Sequence, residues 1–357
     1  MAASVALVTG GAGFIGCAIS PALLEQFDEV VALDSLHPQV HPTHERPADL
    51  PAAVQLVVGD VSDASTWDQL LTDLKPNVVV HLAAETGTAQ SLTESTRHTT
   101  ANVVGTSQML DALARHSALP EQIVLTSSRA VYGEGAWRDR TSGEIIYPPQ
   151  RTTLSLTEHQ WDFSNADPLP MDSRTVNPHP VSIYGATKLT QEHLLRIWAT
   201  SYGVQSTILR LQNVYGPGQS LSNPYTGIMT LFCRMARQGM SIPLYEDGNI
   251  RRDFVFIDDV AAAIMAALQT RTVLSTPLDI GSGEFQTIGR AAALIAAHYK
   301  APAPHVTGQF REGDVRHAWA DTSEASRALD WQPRYSLAQG VVKLADWIEK
   351  QPSVPKV

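Results

Sequence analysis

A chain of 357 residues, 43% of them hydrophobic and only 17% charged, has enough apolar surface for a packed core and too little charge for extended disorder. Against 36 Asp and Glu stand 26 Lys and Arg, a formal net charge of −10 that argues against a nucleic-acid partner, since a polyanion calls for a basic face. Two cysteines, Cys17 and Cys233, exclude a disulfide framework and read as small packed residues.

The first four residues carry no basic region or cleavage pattern, and the longest apolar stretch, 260–268, is too short to span a bilayer, so a cytoplasmic location and no membrane partner are expected. Short apolar runs at 5–9, 30–33, 54–58, 78–82, 123–126 and 207–211 predict strands, with amphipathic helices between them. That alternation predicts an α/β fold whose parallel sheet is covered on both faces. The segment 133–180 breaks the pattern. It is rich in Pro, Thr, Asp and aromatics, and reads as a long irregular insertion over a pocket. A second irregular zone, 37–51, follows the second strand. Beyond Tyr215 the alternation is lost and a smaller interwoven domain is expected: residues 1–214 bind a cofactor, 215–357 mainly a substrate, and 250–265 return to the first domain.

Gly10, Gly13 and Gly16 follow the first strand and open a helix. Glycine is needed there because the backbone must turn tightly and approach a pyrophosphate, which the free N–H groups of the helix start then bind. This is a Rossmann dinucleotide motif. Asp34 ends the second strand, where a carboxylate accepts both adenosine ribose hydroxyls and repels a 2′-phosphate; the cofactor is expected to be NAD. His37, His41 and His44 lie in the loop that follows, read as a solvated loop near the adenosine, and no metal ligand set is apparent.

Tyr184 and Lys188 stand four apart, hence on one helical face. A phenol is a poor base at its normal pKa near 10, and a neighbouring cation lowers that value. The pair can then exchange a proton with a sugar hydroxyl while hydride moves to a nicotinamide. Ser128 follows the fifth strand, at the carboxyl edge where open α/β sheets bind ligands, and can share the reacting oxygen.

With these residues the chain resembles the extended short-chain dehydrogenase/reductases, in particular the nucleotide-sugar epimerases and dehydratases. The resemblance runs through blocks at 9–16, 59–61, 81–84, 102–106, 125–133, 184–188, 209–217, 252–260 and 311–314. It implies a doubly wound sheet and a triad of Ser128, Tyr184 and Lys188. Cofactor contacts would come from Gly10, Gly13, Phe14, Ile15, Gly16, Asp34, Asp60, Val61, Leu82, Ala83, Ala84, Asn102, Thr126 and Leu211, besides Tyr184 and Lys188. A nucleoside-diphosphate sugar would meet Thr86, Ser128, Arg129, Asn213, Arg252, Arg311 and Asp314. The family also implies a homodimer built on two helices per subunit, near 99–116 and 182–202; Met109, Leu110, Leu113, Leu194, Leu195 and Trp198 serve that interface or face the sheet.

Family 4,6-dehydratases carry Asp and Glu after the serine, because eliminating the C6 hydroxyl needs an acid and a base. Here stand Arg129 and Ala130, and elimination is disfavoured. A 4-epimerase is expected, with an NAD(P)H-dependent 4-ketoreductase of a 6-deoxy sugar as the alternative. A dinucleotide-sensing protein without activity is disfavoured because such proteins lose the Tyr–Lys pair. Arg129 is either a substrate contact or a surface residue.

Overall fold

The computed structural model describes residues 3–351 apart from 42, 222, 224–226 and 271. Met1 and Ala2 of the N-terminal reading, and Pro42 of the loop after the second strand, lie outside the described residues. Seven strands form the main sheet: β1 (Val5–Thr9), β2 (Glu29–Asp34), β3 (Gln55–Val58), β4 (Val78–His81), β5 (Gln122–Ser128), β6 (Gln205–Leu211) and β7 (Leu278–Ile280). Their order is β7-β6-β5-β4-β1-β2-β3, and every neighbouring pair is parallel. The six expected strands are all present, within one to two residues of the expected ends. The seventh was not anticipated, because three buried residues are too few to show a period.

The order reverses between β1 and β4. The crevice that such a reversal opens at the carboxyl edge is where ligands bind in this architecture. Gly10, Asp34, Leu82, Ser128 and Leu211 all stand at that edge.

Alternation along each strand divides the core. Leu7, Val31, Val79 and Ile123 point to one face, against α2 (Ala64–Leu71), α3 (Gly105–Arg115) and α4 (Ile183–Tyr202). Ala6, Val30, Val80 and Val124 point to the other, against α1 (Phe14–Gln26) and a later helix over Ile257–Gln269. Each Val, Leu or Ile among these contributes about 1.5–3 kcal/mol by leaving water. Met109, Leu110, Leu113 and Leu195 belong to this sheet-facing core, whereas Leu194 and Trp198 are only partly buried against it.

A third cluster joins α5 (Ile228–Arg237), α7 (Ile288–Tyr299) and α8 (Leu337–Glu349) through Phe232, Ile295 and Leu344. The helix Ile257–Gln269, α6 in chain order, packs on α1. The insertion is more regular than its composition suggested. Strands Trp137–Asp139, Ile145–Ile146 and Ala166–Pro168 form an antiparallel sheet of their own, and Thr153–Thr157 is a helical turn. Trp137 anchors it, 1% exposed, with the Phe163 ring 4.9 Å away edge-on. The two ends of the insertion meet: His179 N–H donates to the Val131 carbonyl at 2.9 Å.

Candidate active site

The turn after β1 is shaped for close backbone approach. Gly10 has φ +67° and donates to the Leu33 carbonyl at 2.8 Å; a Cβ there would come within 2.8 Å of the Ala83 nitrogen. A Cβ on Gly16 would come within 2.4 Å of the Gly11 carbonyl. Gly13 caps α1 with no side-chain acceptor, so the N–H groups of the first turn, beside Phe14 and Ile15, face the crevice uncapped. Asp34 is held by two backbone donors, Ala12 N–H at 3.0 Å on Oδ2 and Leu36 N–H at 2.9 Å on Oδ1.

In the loop after β2, His44 is exposed and His37 half-buried, and only His41 of the three histidines departs from the expected solvated state. His41 is 8% exposed with Nε2 3.8 Å from Asp34, and burial pushes its imidazole pKa down. Among the described residues, no three His, Cys, Asp or Glu side chains gather as metal ligands. Cys17 donates its thiol to the Ala12 carbonyl at 3.3 Å, and burial raises its pKa to about 12, which leaves the thiol unreactive.

Asp60 is exposed at the end of the edge strand, where its Oδ1 accepts from the Ser62 N–H and hydroxyl at 2.8 Å each. Val61 is buried and its carbonyl accepts from the Trp67 indole at 2.7 Å. Leu82, Ala83, Ala84 and Thr86 are half-buried in the loop leaving β4. Thr126 and Leu211 are buried near the ends of β5 and β6.

Asn102 is fully buried in a π-helical turn, Thr100–Val104, a departure from α geometry that often marks functional sites. Its amide is spent on the protein: Oδ1 accepts from the Glu85 N–H at 2.7 Å, and Nδ2 donates to the Glu85 carbonyl at 3.0 Å and the Thr187 hydroxyl at 2.9 Å. It therefore clamps the loop after β4 to α4, where a direct contact with the cofactor was expected.

Ser182 caps α4, its hydroxyl accepting from the Gly185 N–H at 3.0 Å. Tyr184 follows in the first turn, half-buried, and its N–H donates to the Ser91 hydroxyl at 3.1 Å. Burial raises the Tyr184 pKa; a hydrogen bond with Ser128 and the charge of Arg129 oppose that rise. Lys188, one turn on, is 2% exposed, and burial brings its pKa down to about 7. Among the described residues its ammonium has no hydrogen-bond acceptor. A buried, unmatched ammonium beside a glycine-lined turn, an uncapped helix start and a held carboxylate fits a dinucleotide, whose ribose hydroxyls and pyrophosphate supply the missing partners.

Arg129, directly after Ser128, is half-buried and not a surface residue. It lines a small cavity with Thr88, Ser182, Asp314 and Val315, and donates from Nε to the Asn213 carboxamide oxygen at 2.9 Å. Arg252 is buried and donates to the carbonyls of Arg251, Val315 and Arg316 at 2.8, 2.7 and 3.1 Å. Burial, and then the nearby charge of Arg129, bring its pKa down to about 9. Its charge lies where the sequence placed it, but its terminal nitrogens brace the chain rather than standing free. Arg311 is exposed at the rim, stacked 5.2 Å from the Tyr245 ring centre. Asp314 is half-buried, and its carbonyl accepts from Arg151 at 2.7 Å.

The sequence model of the NAD-dependent epimerase/dehydratase family matches residues 6–159 and 161–281. The chain belongs to that family. Its cofactor is accordingly NAD. A dTDP-L-rhamnose 4-epimerase of Burkholderia thailandensis is 54% identical over 345 residues, 97% of this chain and 95% of that protein. UDP-glucose 4-epimerase of Thermotoga maritima, solved with UDP-glucose, superposes with TM-score 0.79 at 25% identity, covering 97% of this chain and 99% of that one. UDP-glucuronic acid 4-epimerase of Bacillus cereus, solved with UDP-glucuronic acid and NAD, superposes with TM-score 0.78 at 25% identity and the same coverage.

Two buried networks around this family's site went unread in the sequence. In the first, within α4 and against the sheet, Glu192 accepts from Arg210 at 3.0 and 2.7 Å and from the Ser127 hydroxyl. The Arg210 guanidinium lies 4.7 Å from the Tyr132 ring centre, and the Tyr132 hydroxyl donates to Asp279 at 2.8 Å. The signal available for Glu192 was its spacing, one further turn along the face of Tyr184 and Lys188. In the second, Glu246 accepts from Arg151 at 2.9 Å and from Arg316 at 2.8 Å, and Glu134 accepts from the Arg316 N–H at 2.9 Å. No local spacing joins residues so far apart in the chain.

Proposed function

We propose that the protein is a nucleotide-sugar 4-epimerase acting on a dTDP-linked 6-deoxyhexose of the L-rhamnose type. What supports the reading most is the placement of Ser128 at the carboxyl end of β5 and of Tyr184 and Lys188 one turn apart in α4, with Arg129 and Ala130 where elimination needs an acid and a base. The 54% identity to a dTDP-L-rhamnose 4-epimerase supports the choice of nucleotide and sugar.

In this reading residues 1–214 hold the dinucleotide, and 215–357 mainly the nucleoside diphosphate. Gly10, Gly13, Phe14, Ile15 and Gly16 receive the pyrophosphate, and Asp34 the adenosine ribose. Asp60 and Val61 border the adenine. Leu82, Ala83, Ala84, Thr126 and Leu211 line the crevice, and Asn102 keeps its wall in place. Lys188 takes the nicotinamide ribose. Tyr184 accepts the proton of the sugar C4 hydroxyl while Ser128 hydrogen-bonds the same oxygen. NAD, when held by these residues, would supply reversible hydride acceptance at C4. After the ketone turns over, Tyr184 gives its proton back and the C4 configuration is inverted. Thr86 and Asn213 border the sugar and diphosphate, with the charges of Arg252 and Arg311 and with Asp314 near the nucleoside.

Incubation of the purified protein with dTDP-L-rhamnose and a panel of UDP-, dTDP- and GDP-sugars tests the reading. Equilibration of C4 epimers without added NADH is the expected result; stoichiometric NADH consumption with a 4-keto sugar marks a ketoreductase instead. Tyr184→Phe is expected to lower kcat by about 10²–10⁴ with unchanged thermal stability, and near-normal turnover would sink the mechanism.

The proposal includes a cytoplasmic homodimer. Among the described residues no helix is long and apolar enough to cross a membrane. Ile197 and Tyr202 are 69% and 48% exposed and line a groove between α3 and α4 together with Leu194 and Trp198. Sedimentation of Ile197→Glu checks the dimer, the expected result being a monomer.

A further inference from the structure

One glutamine in the loop after β2 is fully committed to side chains from other segments. Gln39 Nε2 donates to the Gln90 carboxamide oxygen at 3.1 Å and to that of Asn223 at 3.3 Å. Its Oε1 accepts from Gln90 Nε2 at 3.0 Å and from Arg97 Nη2 at 3.0 Å. A primary amide has two donors and two acceptor sites, and all four are used here. The far arm of this bridge is anchored to the active site. Gln90 is 4% exposed in the short helix Thr88–Thr93, and its neighbour Ser91 accepts from the Tyr184 N–H at the start of α4. Arg97 is held to Glu85 and Glu94 at 2.7 and 2.8 Å, and Glu85 is fixed in turn by Asn102. The near arm follows Asp34, with the Gln39 N–H donating to His37 Nδ1 at 3.2 Å.

What the two arms span follows from the sheet. β1 lies between β2 and β4, so the loops leaving β2 and β4 flank the glycine turn that leaves β1. Gly10 adjoins both sides: its N–H donates to the Leu33 carbonyl at 2.8 Å, and a Cβ on it would come within 2.8 Å of the Ala83 nitrogen. A bridge from Gln39 to Gln90 and Arg97 therefore crosses that turn. The same loop also reaches the start of α1, since a Cβ on Gly218 would lie 3.6 Å from both Asp49 Oδ2 and the Phe14 ring. We infer that Gln39, Gln90 and Arg97 form a clasp across the dinucleotide crevice, with Asn223 as its third point, and that NAD seated on the glycine turn leaves only when the clasp opens. The use of such a clasp rests on the epimerase reading. An epimerase restores its NAD within each cycle and works best by retaining it, whereas a reductase must exchange its dinucleotide at every turnover.

The test uses the NAD-loaded full chain with no sugar present. Wild type, Gln39→Ala and Arg97→Met are mixed with an alcohol dehydrogenase and ethanol, which convert released NAD to NADH and report its dissociation by absorbance. Association is followed separately by quenching of tryptophan fluorescence. Release should be about 10–100-fold faster in Gln39→Ala and in Arg97→Met, with association no slower than wild type by more than a few-fold. The double variant should release NAD at nearly the rate of the faster single one, because both substitutions open the same clasp. Release within about twofold of wild type, or weaker binding that comes from slower association alone, would overturn the inference. Amide exchange of the wild type gives a second readout that needs no substitution. Loading with NAD should slow exchange around Gln39 and around Gln90 together, and protection confined to the glycine turn would also overturn the inference. Neither measurement depends on turnover, so a protein that epimerises no sugar would refute the epimerase reading and leave the clasp standing.

Discussion

A Cβ on Gly185 would come within 2.4 Å of the Ala130 carbonyl oxygen, so the first turn of α4 rests directly on the turn that follows β5. This contact bears on how far Tyr184 stands from Ser128, because Tyr184 precedes Gly185 and the Ser128 hydroxyl accepts from the Ala130 N–H at 3.2 Å. Gly185→Ala should push the two elements apart by a few tenths of an ångström or more. The expected result is a 10–100-fold fall in kcat, NAD affinity within a few-fold, and a stability loss of about 1–3 kcal/mol, read by steady-state kinetics and urea denaturation. Unchanged kcat would show that the triad tolerates the shift.

Lys188 is expected to cost the cofactor-free protein stability. Its folded pKa of about 7 lies below the ordinary 10.5, so the folded state holds fewer protons than the unfolded chain between these values. The penalty is full below pH 7 and fades as pH rises toward 10.5. Lys188→Met, stripped of dinucleotide, should therefore melt higher than wild type at neutral pH, with the gap closing by about pH 10, while turnover is lost. A lower melting temperature at neutral pH would contradict this.

Glu192 and Arg210 are 2% and 3% exposed and joined through two hydrogen bonds. Removing only the carboxylate leaves a buried cation unpaired, so Glu192→Ala should lose about 3–5 kcal/mol in chemical denaturation. Adding Arg210→Met should recover part of the loss, since the cost lies in the orphaned charge. If the double variant is as unstable as the sum of the singles, the pair is not the coupling.

Asp279 offers a test of the pH profile. Burial raises its pKa to about 7, above the ordinary 3.8, so the folded state holds an extra proton between these values. Stability from this group is present below pH 4 and is lost as pH rises to about 7. Asp279→Asn keeps an acceptor for Tyr132 and Ser173 but cannot ionise. Its melting temperature should exceed that of wild type at pH 8 and depend less on pH between 4 and 7. Matching profiles would place the proton elsewhere.

The cofactor half of the site was legible because its residues are local. Gly10, Gly13 and Gly16 lie on one turn, and Asp34 ends the neighbouring strand; strand period, glycine spacing and helix start follow from backbone sterics over a few residues. Tyr184 and Lys188 were legible for the same reason, being one helical turn apart. The short buried strand Leu278–Ile280 and the small sheet of the insertion were not. Both are stabilised by packing from distant segments, which leaves no periodic mark in so few residues.

Charge, glycine spacing and apolar period thus determined an α/β fold with a dinucleotide turn and a Tyr–Lys pair on one helical face, since each depends on contacts within a turn or strand of the chain. Tertiary structure alone decided the rest. It committed Asn102 to the backbone of Glu85, spent Arg252 on three carbonyls, and left Arg311 at the rim. It also carried Arg129 inward, where Asn213, 84 residues away, holds its guanidinium. Whether a side chain is buried, and which charges surround it, depends on segments that meet only after folding, and that environment sets whether the same residue braces the chain or tunes the chemistry.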